Sequence, residues 1–582
     1  MRDEWFIRGK VPMTKSEVRA VSVSRLELNN DSILLDVGSG TGSISAEAAM
    51  LYPGLRIAAF EKNPEAVELT GKNLEKAGAL DRAEIIPGEV PETLGAWAAE
   101  RIRKRKRLAT HAFLGGTSGR TEEVLDLLFS LMPHIRIVAN VIALETLETL
   151  LRYTRERQIP AEVSSVQVSR GEAAGAFTMM RGQNPVWVVS FGGENKQEES
   201  MPEMTERIDS LLPDYTDAVP EELEEQYREL IRSVKALRPD EEAEKAAGKR
   251  WDESAMPLGA LGAFQEMTGR MAALAKDADV CASPRALAVF CSDNGIVAEH
   301  VTQTGQGVTA VVARHMAERT GISSIMAKRA GADLFPVDVG IAEDPFGKEE
   351  AGKGLIVRKL FRGTKNFLEE DAMSREETLK ALLTGAALSR VLAGQGYRLL
   401  AGGEMGIGNT CTASAVACIL LGTDPAEVTG KGAGLSDEGL EHKIRVIREG
   451  IQRRNPDPVD ALRVLASVGG ADIAALTGLY LGAAACRVPV LIDGFIACAA
   501  ALTAYRICPE ARLSMFASHC SAENGTEKIL HDLGLVPVIT AGMHLGEGTG
   551  ALMLLPLLDM ALEVYRGRKS FSDMEIEAYV PL

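Results

Sequence analysis

Aromatic side chains make up only 5% of the 582 residues, and cysteine and histidine occur eight times each. The cysteines, at 281, 291, 411, 418, 486, 498, 508 and 520, include no C-x-x-C pair, and the histidines do not cluster. Neither a zinc site nor a disulfide frame is therefore expected, and the thiols read as buried and reduced. Positive charge is also in deficit. A net charge of −17 repels a phosphate backbone and an anionic bilayer alike, which argues against nucleic-acid and membrane partners. The one basic run, RIRKRKR at 101–107, reads as the solvated end of a helix. No long uncharged apolar run is present: the span from Leu476 to Cys508 is broken by Arg487 and Asp493 and reads as buried core. The opening MRDEWFIRGKVPMTKSEV lacks the apolar centre of a signal peptide, so a cytoplasmic location is expected.

What is present is glycine, at 56 positions, within an ordinary soluble balance of 46% apolar and 25% charged residues. The chain is too long for one hydrophobic core. From about residue 30 to 191, strand-like runs (SILLDV, LRIAAF, AEIIP, HAFLG, RIVANVIA, VSSVQVS, VWVVSF) alternate at first with amphipathic segments such as PEAVELTGKNLEKAG. This is α/β order with a parallel sheet. The last two runs lack a helix between them and read as an antiparallel edge. GGENKQEESMPEMTE, 192–206, loses periodicity and reads as an acidic linker. Beyond it, PEELEEQYRELIRSVKALR reads as a solvent-facing helix. A second α/β region with a parallel sheet then runs from about Arg285, with strands ALAVF, LFPVDVG and PVLID and alanine-rich helices. The expected units are thus 1–191 and 207–582, the second with an accessory helical part, and the absence of any repeat between them suggests a fusion of two enzymes.

In the first unit the strand SILLDV runs into Gly38-Ser-Gly40-Thr-Gly42 and then a helix. Such a turn tightens without side-chain obstruction and offers unpaired N–H groups at the helix start. Asp36 precedes the turn, and Glu61 ends the next strand, placed to accept hydrogen bonds from ribose hydroxyls. This pattern resembles the S-adenosylmethionine site of class I methyltransferases, a Rossmann-like fold. With VPMTKSEVRA (11–20), KNPEAVELTGKNLEKAG (62–78), FLGGTSG (113–119) and GAFTMMRGQNPV (175–186), it resembles the decarboxylating cobalt-precorrin-6B C15-methyltransferases. The resemblance implies that Asp36, Gly38, Gly40, Gly42, Glu61 and Glu89 hold S-adenosylmethionine as methyl donor. It implies also that Thr14, Gly115 and Gly116 face the tetrapyrrole. Glu89 stands where Asp is expected and Ser39 where Cys is frequent.

The second unit carries three glycine-rich stretches: GGEMGIGNTCTASA (402–415), read as a loop before a helix; GKGAGL (430–435), before a helix bearing Lys443; and HLGEGTGA (544–551), which sets Glu547 between two glycines. Loops of this kind can surround a phosphate with backbone N–H groups while a lysine adds charge, or can simply cap helices. With SDNGIVAEHVTQTGQGVTA (292–310), VGGADIAALTG (468–478), IDGFIACAAAL (492–502) and SHCSAENG (518–525), they resemble the nicotinate-nucleotide–dimethylbenzimidazole phosphoribosyltransferases across nearly all of 207–565. These transfer phosphoribose from nicotinate mononucleotide to 5,6-dimethylbenzimidazole, giving α-ribazole 5′-phosphate and nicotinate. The resemblance implies that Glu547 is the catalytic acid–base group, that Glu404 and Lys443 position ribose and phosphate, and that Thr304 lines the benzimidazole pocket. Gly403, Gly406, Gly432, Gly434 and Leu545 are further expected substrate contacts. A homodimer through the second unit is implied as well.

Both reactions belong to cobamide synthesis. A carboxylate in a dry, glycine-lined pocket can take the N–H proton of an attacking azole, because desolvation raises its pKa; the alternative for Glu547 is to cap the apolar helix that follows. Ser518, His519 and Glu523 are spaced too closely for a nucleophilic triad and read as a hydrogen-bonded loop. MPLGALGAF (256–264) lacks an expected serine, and Asn294 replaces a common histidine, which leaves room for another benzimidazole. Competing readings are a small-molecule methyltransferase fused to a transferase for another azole, or one half retained only as a binding module.

Overall fold

The computed structural model describes residues 1–104, 106–174, 177–193, 201–346, 354–432, 434–577 and 579. Arg105 of the basic run, residues 175–176, linker residues 194–200 and Ala433 lie outside these. The chain divides into two compact units, Met1–Glu198 and Glu199–Leu582.

The first unit is built on seven strands in the order β3-β2-β1-β4-β5-β9-β6: β1 (Ile33–Val37), β2 (Arg56–Glu61), β3 (Ala83–Pro87), β4 (His111–Leu114), β5 (Arg136–Val141), β6 (Ala161–Val166) and β9 (Val186–Gly192). β1 to β5 are mutually parallel. β1, ILLDV, is wholly buried because helices cover both of its faces. β9 runs antiparallel to both β5 and β6, as the missing crossover helix implies. Between β6 and β9 lies a hairpin the sequence does not reveal, β7 (Ser169–Ala174) with β8 (Phe177–Gly182). Every residue of β8 is exposed, so no buried face imprints an alternating pattern on it.

The second unit has six parallel strands in the order β12-β11-β10-β13-β14-β15. They are β10 (Arg285–Ser292), β11 (Ala332–Gly340), β12 (Ile356–Val357), β13 (Leu399–Met405), β14 (Val490–Ile492) and β15 (Met515–Ala517). Two apolar clusters sandwich the sheet. On one side the helices Arg375–Gly394 and Ala471–Ala485 cross at backbone contact, where a Cβ on Gly478 would lie 1.8 Å from Leu382 O and one on Gly385 1.8 Å from Ala475 O. Small residues are what let them meet.

Two expectations change. Residues 201–206, read as linker, are the first turns of the helix Met201–Leu211. Glu404, read as a loop residue, belongs to β13. Gly402 and Gly403 serve packing there and not a turn: a Cβ on Gly402 would lie 2.8 Å from Leu476, and one on Gly403 2.5 Å from Gly548 N. No described helix is long and apolar enough to cross a membrane.

Candidate active sites

At the carboxyl ends of the second unit's strands the chain gathers carboxylates, where ligands bind in open α/β sheets. Gly546, Glu547 and Gly548 all have positive φ (86°, 56° and 76°), which throws the Glu547 side chain off the path of the helix Thr549–Gly567. That helix is capped by a different acid. Asp493, at the end of β14, accepts from Gly548 N at 3.0 Å, Gly550 N at 2.7 Å and Ala551 N at 3.1 Å. Glu547 is thereby free of the capping role. It is 8% exposed, and its Oε2 accepts a hydrogen bond from Ser323 Oγ at 2.9 Å. Burial pushes its carboxyl up, the Ser323 hydroxyl pulls down, and Asp493 pushes up again.

Glu404 adjoins it: a Cβ on Gly546 would lie 2.8 Å from Glu404 Oε1. Asn409 Nδ2 donates to Glu404 Oε2. Burial, then Asp472, Asp493 and Glu547, hold the Glu404 carboxyl well above the usual range, against the pull of the Asn409 amide. Asp472 is fully buried, its Oδ2 has no hydrogen-bond partner among the described residues, and burial pushes it up to about 7. Gly406 sits against Asp472, where a Cβ would lie 2.9 Å from Oδ2. No group of described side chains has the arrangement of a metal site.

A second feature is a buried cation that no described carboxylate bonds directly, although Glu523 acts on it from nearby. Lys443 is 1% exposed. Its Nζ donates to Thr410 Oγ1 at 2.8 Å and to Gly430 O at 3.2 Å, and no described carboxylate pairs with it. Desolvation pushes its pKa down. Around it are Gly432, whose Cβ would lie 3.5 Å from Nζ, and the start of the helix Asn409–Leu421, whose first turn carries Thr410 and has no side-chain cap. Gly432 and Gly434 have positive φ, 55° and 95°. A helix start with no side-chain cap beside a buried ammonium can receive an anion.

The other expected residues are less gathered. Thr304 Oγ1 is buried without a described partner, whereas Leu545 is 52% exposed. Ser518 Oγ donates to Ile492 O at 2.6 Å and meets His519 Nδ1 at 3.0 Å, a bonded loop as expected. The eight cysteines are free thiols. Sequence reading missed Asp493 and Ser323, because no local pattern links a serine at 323 to an acid at 547.

In the first unit Gly38, Gly40 and Gly42 take φ of 72°, 58° and 71°. A Cβ on Gly38 would lie 2.6 Å from Gly116 O, and one on Gly115 2.7 Å from Gly38 O, so the two glycine loops touch. By contrast, Gly116 has open space at its Cβ position and Gly40 meets only Pro12 O at 3.5 Å. Glu61 Oε2 accepts from Gly40 N at 2.8 Å, and Oε1 from Lys62 N and Asn63 N at 2.9 Å each. Asp36, expected to touch the cofactor, has no exposed surface; it accepts from Ser45 Oγ at 2.5 Å and supports the turn from beneath. Burial pushes it up to about 6. Glu89 is exposed and pairs with Lys62 Nζ at 3.1 Å. The carbonyl of Thr14 accepts from the buried Arg19 at 2.6 Å, which ties it to the helix Ser16–Leu26.

Comparison with known proteins adds the family. Residues 237–576 match the model of a phosphoribosyltransferase family, and residues 4–191 that of a precorrin methyltransferase domain. The nicotinate-nucleotide–dimethylbenzimidazole phosphoribosyltransferase of Ruminiclostridium cellulolyticum is 42% identical over 61% of this chain and 99% of its own length. That of Acetivibrio thermocellus is 39% identical over 57% and 93%. The crystal structure of the enzyme from Thermus thermophilus superposes with a TM-score of 0.54 at 34% identity, covering 58% of this chain and 99% of its own. The chain therefore belongs to the nicotinate-nucleotide–dimethylbenzimidazole phosphoribosyltransferase family, and it carries a precorrin methyltransferase domain ahead of that unit.

Proposed function

We propose that the chain is a bifunctional enzyme of cobamide synthesis. In its second unit, phosphoribose passes from nicotinate mononucleotide to 5,6-dimethylbenzimidazole or a closely related base. One azole nitrogen attacks C1′ as the bond to the nicotinate nitrogen breaks, and the departing electron pair neutralises the pyridinium. The other azole nitrogen then carries a proton that must leave, and Glu547 takes it. The observation that carries this reading is the separation of two acids at one helix start: Asp493 caps the helix, which leaves the buried Glu547 for chemistry. Lys443, with Gly432 beside it, would hold the phosphate, whose charge would balance the buried ammonium. Glu404, its carboxyl biased by burial towards the protonated form, would hydrogen-bond a ribose oxygen.

The first unit would methylate C15 of cobalt-precorrin-6B and release the C12 acetate carboxyl. The open backbone at Gly40 and the Glu61 carboxylate suit the amino-acid and ribose parts of S-adenosylmethionine, and Thr14, Gly115 and Gly116 would border the tetrapyrrole. A bound sulfonium supplies an activated methyl group, so the protein's task is orientation, worth up to about 7–11 kcal/mol. Pairing of the second unit with a second copy is supported by apolar side chains left in solvent on two packed helices: Ile322 and Ile325 on Ile322–Ala330, and Met553, Met560 and Val564 on Thr549–Gly567.

The test is product analysis with the full chain. Nicotinate mononucleotide and dimethylbenzimidazole should yield α-ribazole 5′-phosphate and nicotinate, and cobalt-precorrin-6B with S-adenosylmethionine should yield a product with one more methyl and one carboxyl fewer. Absence of either product under conditions where the chain is folded removes the corresponding half of the proposal.

A further inference from the structure

We infer that Ser323 is the positioning residue of the proton acceptor, an inference that rests on Glu547 being that acceptor. Ser323 is the second residue of the helix Ile322–Ala330 and has no exposed surface. Its hydroxyl donates to Glu547 Oε2 at 2.9 Å across 224 residues of sequence. That helix begins at Gly321, which provides no side-chain cap, so its first N–H groups also favour negative charge on the carboxylate. The Glu547 backbone lies in the left-handed region between two positive-φ glycines, and no other described residue hydrogen-bonds its side chain. One residue therefore selects the direction of the carboxylate.

The consequences are geometric and electrostatic. Holding Oε2 leaves Oε1 as the oxygen turned to the base, so the proton moves from the azole N–H to Oε1 while the Ser323 bond persists. The hydroxyl also favours the ionised acid against burial and against Asp493, while the adjoining carboxyl of Glu404 is itself pushed up by Glu547. Without the hydroxyl the acid would be protonated over more of the working pH range and held only by the Ser323 backbone N–H, the weaker of the two bonds from that residue.

The experiment is the pH dependence of kcat for α-ribazole phosphate formation by the full chain, wild type against Ser323→Ala, Ser323→Thr and Glu547→Gln, with folding checked by thermal melting. Losing one hydrogen bond to a charged group should move the acid limb of Ser323→Ala upward by about 1 pH unit or more. At low pH kcat should fall roughly tenfold or more, with KM for nicotinate mononucleotide unchanged. Ser323→Thr, which keeps the hydroxyl, should restore the wild-type limb. An unmoved acid limb in folded Ser323→Ala overturns the role of Ser323 alone, provided Glu547→Gln has lost turnover. If Glu547→Gln retains turnover, the acceptor reading falls and the Ser323 inference with it.

Discussion

An acid at the head of a helix has two uses, and at the start of Thr549–Gly567 they are divided between residues from different parts of the chain. Within HLGEGTGA only Glu547 is visible, and the glycines around it are as compatible with a cap as with a pocket. Asp493 decides the matter from 55 positions away, and Ser323 from further still. Such pairings are made by tertiary packing and leave no local mark. Lys443 was legible as a basic residue after a glycine loop, but its burial was not, since helical periodicity alone does not say which face lies over another loop. Because a buried unpaired ammonium destabilises the fold, Lys443→Met should raise the melting temperature while raising KM for nicotinate mononucleotide roughly tenfold or more; an unchanged KM would dissociate Lys443 from the phosphate. Asp472 offers a pH test. Its folded pKa of about 7 lies above the unfolded value of about 3.9, so its ionisation opposes folding at high pH, and that cost is relieved as pH falls from about 7 to 4. Asp472→Asn should therefore raise the melting temperature more at pH 8 than at pH 5. Equal changes at both would mean that Asp472 is not a buried acid of raised pKa.

At the scale of elements, strands such as ILLDV and ALAVF, buried on both faces, were legible because continuous apolar runs signal that burial, whereas β15, equally buried but only three residues long, was not. β13 was misread for the opposite reason: its glycines looked like a turn, although they clear room for Leu476 on one side and the 547–548 backbone on the other. The pair Arg375–Gly394 and Ala471–Ala485 makes the point measurable. Gly478→Ala places a methyl 1.8 Å from Leu382 O, so the helices must separate, at a cost of about 1–3 kcal/mol or more. Denaturant unfolding should show that loss, and wild-type stability would contradict the close crossing. The β7–β8 hairpin stayed hidden because β8 has no buried face to give its sequence a period.

At the scale of the whole molecule, length implied only that there is more than one core, the change of composition near residue 200 marked a boundary, and the chain divides at 198/199. Each unit has apolar clusters of its own, so 1–198 and 199–582 expressed separately should each fold cooperatively, and S-adenosylmethionine should raise the melting temperature of the first alone. Stabilisation of the second fragment by that compound would contradict the division of labour. What sequence composition cannot convey is which loops meet at the carboxyl ends of the strands, and the central claim depends on that meeting. It is tested most directly by the rate of α-ribazole 5′-phosphate formation by Glu547→Gln, measured beside its binding of nicotinate mononucleotide. The account predicts a turnover loss of roughly 100-fold to 10,000-fold with binding retained. A variant that turns over at the wild-type rate would contradict it.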